Sequence, residues 1–204
     1  VSESRVLYMS RLSLSPGAIF VLAFVYFFGG IVSLAAVVLA AAVHEAGHAA
    51  AISALGGKIR RMSFDSSGLC MSSAGIYSTV GEVIILLAGP FAGLALAYIC
   101  AKLGSASVNS FLLRTAGISL VLTIYNLLPA LPLDGGRALY CVLCRSIGEV
   151  RAVNAMYFIS ITIALVLAFL GIYVRTTQLG IVLLVSAVWL LIAQTGIVKS
   201  MRML

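Results

Sequence analysis

Residues 31–55 read IVSLAAVVLAAAVHEAGHAAAISAL, an apolar run with two histidines and a glutamate in its second half. A spanning helix needs roughly 20 mostly apolar residues, so the run is long enough to cross a bilayer. Each charged group there costs about 2.5–3.5 kcal/mol on insertion scales, and such groups are functional by default. His44 and His48 are the two histidines of the chain. Lying four apart, they project from one helical face and can offer two imidazole nitrogens to a metal such as Zn2+. Glu45 stands beside His44 as in H-E-x-x-H, where the glutamate is a base rather than a ligand. Packing alone does not select these three residues amid alanine, valine, isoleucine and leucine.

The surrounding chain has the same character. Hydrophobic residues make up 62% of 204 and charged residues 9%, whereas a soluble domain carries about 25% charged residues. We read apolar stretches at about 12–29, 31–55, 80–102, 109–128, 153–174 and 178–198. The expected fold is an all-α polytopic membrane protein with about six transmembrane helices. Residues 57–79 are too short and polar to span, and are expected to form a small β-hairpin or sheet insert turning at Asp65-Ser66-Ser67-Gly68. Gly29-Gly30 predicts a tight turn between the first two helices, with one unbroken helix as the alternative. The first stretch lacks a small-residue cleavage site and is read as a retained helix. No connecting segment is long enough for a separate soluble domain, so residues 1–204 are read as one domain.

The net charge of +7 is explained by topology. Six spans put the N-terminus, the second-to-third and fourth-to-fifth connections, and the C-terminus on one side. That side holds Arg5, Arg11, Lys58, Arg60, Arg61, Arg137, Arg145, Arg151, Lys199 and Arg202; the other holds Lys102, Arg114 and Arg175. The positive-inside rule then places both termini, and the opening of the site, on the cytoplasmic side of a cell membrane. Basic residues beside the spans suit contact with anionic lipid. No basic stripe with aromatics is present, which excludes nucleic acid as a partner. Cys141 and Cys144 form one C-x-x-C with no second pair to complete a zinc ribbon, and are read as packing residues.

A catalytic zinc needs a third protein ligand and an open position. With no third histidine, the candidates are Asp65, Glu82, Asp134 and Glu149. Span parity brings Glu82 and Asp134 to the same side as the end of the second span. Asp134 lies in the run Asn126-Leu127-Leu128-Pro129-Ala130-Leu131-Pro132-Leu133-Asp134-Gly135-Gly136-Arg137. Two prolines break the helix there, and irregular backbone at membrane depth is tolerated only where it is buried or lines a wet cavity. Asp134 is therefore the expected ligand and Glu82 the second choice, since an acid that opens a helix has an ordinary capping role.

These residues carry a family resemblance. His44-Glu45-Ala46-Gly47-His48 is similar to the first motif of the site-2 protease family of intramembrane zinc metalloproteases, and Leu133-Asp134-Gly135 to the second. Ala88-Gly89-Pro90 resembles a third, weaker signature. The run from Asn126 to Gly136 most resembles the stage IV sporulation protein FB type. That branch often carries a C-terminal nucleotide-binding CBS domain, which these 204 residues do not include. The resemblance implies zinc held by His44, His48 and Asp134, with Glu45 as the proton-transfer residue. It also implies a role for Asn126 at the oxyanion, and for Asn126, Pro129 and Pro132 in binding substrate. The substrates would be membrane-embedded or membrane-associated proteins, a sigma-factor precursor among them, with inhibitory membrane-protein partners. A small sheet beside the site would hold the substrate in extended form. The competing function is a metal-binding membrane transporter that uses the histidine pair, since broken helices line transporter sites too.

Overall fold

In a computed structural model of the chain, the structure describes residues 13–14, 16–65, 68–74 and 78–201. Its elements in order are β1 (Ser13–Leu14), α1 (Pro16–Ala54), β2 (Lys58–Asp65), β3 (Gly68–Ala74), α2 (Thr79–Ser107), α3 (Ser110–Asn126), α4 (Asp134–Ile147), α5 (Glu149–Tyr173) and α6 (Gln178–Met201).

α1 is not a straight rod. Its 39 residues would extend about 58 Å at 1.5 Å per residue. Yet Ser13, just before the helix, pairs with Ser63, just after it. Even fully extended, the chain from Ala54 to Ser63 reaches at most roughly 32 Å. The helix must therefore double back, and its one non-helical residue is Gly30, with φ 70 and ψ −178. That conformation is essentially confined to glycine. Arg114 of α3 reaches this turn, donating from Nη1 to Ser33 Oγ at 2.6 Å and to the Gly29 carbonyl at 3.5 Å. The turn expected at Gly29-Gly30 is thus the feature that folds the first apolar stretch back on the second.

β2 and β3 form an antiparallel pair, with Lys58 opposite Ala74 and Asp65 opposite Gly68, and a register shift between Ile59 and Arg61. β1 adds to β2 in parallel, giving the order β1-β2-β3. The sheet grows directly from the end of α1.

Three helical segments among the described residues are long and apolar enough to cross a membrane by themselves: Val25–Ala54, Thr79–Ser107 and Glu149–Tyr173. A shorter apolar helix, Gly180–Thr195, lies within α6. α2 is capped by Ser78, whose Oγ accepts from Gly81 N. α3 is capped by Asn109, whose Oδ1 accepts from Phe111 N and Leu112 N. Such caps satisfy amide groups that the first helical turn leaves free.

Helices α1, α2 and α3 pack together as one group. α2 and α3 meet through small groups: Gly93 lies against Thr123, and Ser119 Oγ donates to the Gly93 carbonyl at 2.8 Å. α5 and α6 form a second group, joined to the first through α4 and the loop before it. Ala130 and Leu133 of that loop are buried with Ala164, Leu167, Ala187 and Leu190 of α5 and α6.

Candidate metal centre

The first turns of the site come from α1 alone. In its second half His44 and His48 face one another with ring centroids 4.9 Å apart, and only 4% and 8% of their surfaces are exposed. Glu45, one residue on, is half-buried. The ring of His48 is held from behind, because its Nδ1 donates to the Ile85 carbonyl of α2 at 2.7 Å. That bond fixes the tautomer and leaves Nε2 as a lone-pair donor facing His44.

α2 can approach so closely because glycines stand at both sides of the crossing. Gly47 lies on the Ala88 carbonyl and Ala92, and Gly89 lies flat against the His48 imidazole. A Cβ at Gly89 would overlap that ring. The Ala88-Gly89-Pro90 segment is thus a floor for a histidine, although the G-x-x-x-G spacing of Gly89 and Gly93 is by itself a helix-packing pattern. The two glycines serve different neighbours, Gly89 the His48 ring and Gly93 helix α3. Gly89→Ala is expected to displace His48 and abolish metal uptake, while Gly117→Ala, which meets nothing within 4 Å, leaves uptake unchanged. Elemental analysis of the two purified variants checks this.

Asp134 closes the site from the other group. It is the first residue of α4, where the helix dipole favours an anion. The loop between Asn126 and Asp134 carries both prolines, and the Leu131–Pro132 peptide is cis. Gly135 packs against Leu127 and Leu128 backbone, and Gly136 against Ala130. Neither glycine has positive φ. Their service is close approach: a side chain at either position would push α4 away from the loop.

Asp134 meets His44 and His48, which lie ten and six residues before the end of α1, roughly 15 and 9 Å along the helix. α3 therefore ends, and α4 begins, at that depth.

The three side chains converge. His44 Nε2 lies 3.0 Å from Asp134 Oδ2, His48 Nε2 3.3 Å from the same oxygen, and the two Nε2 atoms 3.2 Å apart. Bonds of about 2.0–2.2 Å to a tetrahedral metal set neighbouring ligand atoms roughly 3.3–3.5 Å apart, so the triangle has the size of one face of such a site. An imidazole N–H can donate to the carboxylate at these distances, and a cation shared by all three atoms would use the lone pair of each. Among the described residues this is the one group of three such side chains close enough to hold a metal. Glu82 is exposed on the first turn of α2, near Cys141 of α4 and outside the group. Asn126 sits at the end of α3, where its Nδ2 donates to the Leu122 carbonyl at 3.1 Å. Pro129 and Pro132 shape the loop, the first exposed and the second half-buried.

The comparisons with known proteins agree with this geometry. The family model described as Peptidase M50B-like matches residues 17–132, and Peptidase family M50 matches residues 101–167. The chain belongs to the M50 peptidase family. It is an intramembrane metalloprotease, and the transporter reading falls away. Among solved structures it is similar to the site-2 protease from Methanocaldococcus jannaschii, at 20% identity and a TM-score of 0.68 over 87% of this chain and 84% of that one. At that identity the likeness shows a shared fold. No curated protein matches the protease.

Two residues with a bearing on the site escaped the sequence reading. Ser160 of α5 and Gln194 of α6 both bond to Leu131, in the loop that carries Asp134. Their signal was an uncharged polar residue inside an apolar span, the same logic that singled out the histidines but with a weaker penalty.

Proposed function

We propose that the protease is a zinc enzyme that hydrolyses peptide bonds of membrane-embedded or membrane-associated proteins, with His44, His48 and Asp134 as its metal ligands. The observation that carries this reading is the triangle of Nε2, Nε2 and Oδ2 atoms with Glu45 beside it. Two histidines, one carboxylate and an open fourth position suit catalytic zinc. Bound there, the metal polarises the scissile carbonyl and activates water.

The remaining work falls to the chain. Glu45 takes the proton from the attacking water and returns it to the leaving amine. The Asn126 amide, with one N–H given to Leu122, has a second N–H for the developing oxyanion. Pro129, Pro132 and Asn126 border the path of the substrate. A helical substrate hides its carbonyls, so it must be held extended. The outer edge of β3 suits this by strand addition, since β3 pairs with β2 on one side only among the described residues.

Elemental analysis tests the metal assignment: one zinc per chain in the wild type, lost in both His44→Ala and His48→Ala. Undiminished zinc in those variants would remove the assignment.

The same proposal fixes orientation. With ten of thirteen Lys and Arg on one side, the loop holding Lys58, Arg60 and Arg61 faces the cytosol. In a background without native thiols, a cysteine at Lys58 should resist an impermeant reagent added outside cells, and one at Arg175 should react. The reverse pattern would invert the topology.

A further inference from the structure

The loop that carries Asp134 is gripped at one residue, Leu131. Ser160 Oγ accepts from Leu131 N at 2.9 Å, while its own proton goes to the Met156 carbonyl at 2.7 Å. Gln194 Nε2 donates to the Leu131 carbonyl at 2.6 Å, and to the Leu190 carbonyl of its own helix at 3.4 Å. Ser160 is 0% exposed and Gln194 3% exposed. The N–H and the C=O of Leu131, on the two peptide units that flank its Cα three residues before Asp134, are thus held from two different helices, neither of which carries a metal ligand.

The chemistry makes this more than helix packing. Two prolines deprive the loop of amide donors, and it has no regular ladder to fix it. Its remaining restraints on this side are the Leu131 bonds and the burial of Ala130 and Leu133 between α5 and α6. Burial resists separation but permits sliding, whereas two opposed hydrogen bonds fix position along and across the loop. A bidentate grip in a water-poor interior is costly to leave unmade.

We infer that Ser160 and Gln194 are positioning residues for the metal centre: by clamping the backbone N–H and C=O of Leu131 they hold Asp134 at the distance from His44 and His48 that a metal requires. The inference rests on the proposed ligand set. It ties the α5–α6 pair to the chemistry through one residue, although neither helix contributes a side chain to the metal.

Cobalt(II) binding to the full chain in detergent tests it, because both affinity and the visible ligand-field spectrum report ligand geometry without any cleavage. Ser160→Ala and Gln194→Met remove the bonds while nearly conserving volume. Each is expected to weaken cobalt binding about 10–100-fold, the range for lost outer-shell partners, and to alter the spectrum. Amide exchange at Leu131 should also quicken in Ser160→Ala. Thr115→Val is the control: Thr115 is equally buried, and its hydroxyl bonds only within α3, to the Phe111 carbonyl. Wild-type affinity and spectrum in both clamp variants would overturn the inference, as would an equal loss in Thr115→Val, which would mean general loosening. Cobalt uptake by the wild type that is indifferent to His44→Ala would overturn the ligand set itself, and the clamp with it.

Discussion

Glu45→Gln is expected to keep its metal and to cut peptides about 10²–10⁴-fold more slowly, the range for loss of a positioned acid–base group. The substitution conserves size and hydrogen-bonding shape and removes only the ability to take a proton. Glu45 lies outside the three-atom group formed by His44, His48 and Asp134, so metal content should match the wild type. If Glu45 acts only in the transition state, kcat and kcat/KM should fall together, with KM little changed. Cleavage of a membrane-protein substrate in detergent, beside elemental analysis of the same sample, reads both. Normal turnover would mean that another base serves the site.

Asp134→Ala should lower metal affinity by more than the roughly 10–100-fold typical of lost outer-shell groups, and abolish cleavage. The Asp134 carboxylate oxygen lies within 3.3 Å of both histidine Nε2 atoms, and its removal leaves two ligands where three are needed. Glu82→Gln should retain most of both properties, because Glu82 faces Cys141 and stands apart from the histidines. Parallel metal titrations separate the two acids. Loss of metal in Glu82→Gln with retention in Asp134→Ala would show that the wrong carboxylate is assigned.

Several features were legible without coordinates, and each rests on local information. The i, i+4 spacing of His44 and His48 places both rings on one face whatever the helix packs against. Apolar content fixes the solvent, and the cost of ionisable groups in that solvent marks the site. Pro129 and Pro132 break a helix through covalent geometry alone. The double glycine at Gly29-Gly30 announced a turn, and Gly30 takes the backbone conformation that needs glycine. Asp134 was preferred to Glu82 by the same reasoning about backbone freedom.

Other features depend on which surfaces meet. The sequence marked the Asp134 run as a helix break; the contact with His44 shows which turn of α1 the break lies beside. Gly89 looked like a helix-packing residue, and only its position against His48 reveals that it is the floor of the site. Gly135 and Gly136 serve close packing on Leu127 and Ala130, which only the folded chain reveals. Asn126 was expected at the oxyanion, and its amide already has one bond within α3. Ser160 and Gln194 lie 29 and 63 residues from Leu131, the residue they hold. Periodicity and propensity carry information over one or two helical turns. The sequence by itself therefore determined the solvent, the helical histidine pair and the place where a helix must break. The tertiary structure decided which carboxylate meets the pair, how deep the break lies and what holds it there, because those depend on distances across the bundle that no local pattern encodes.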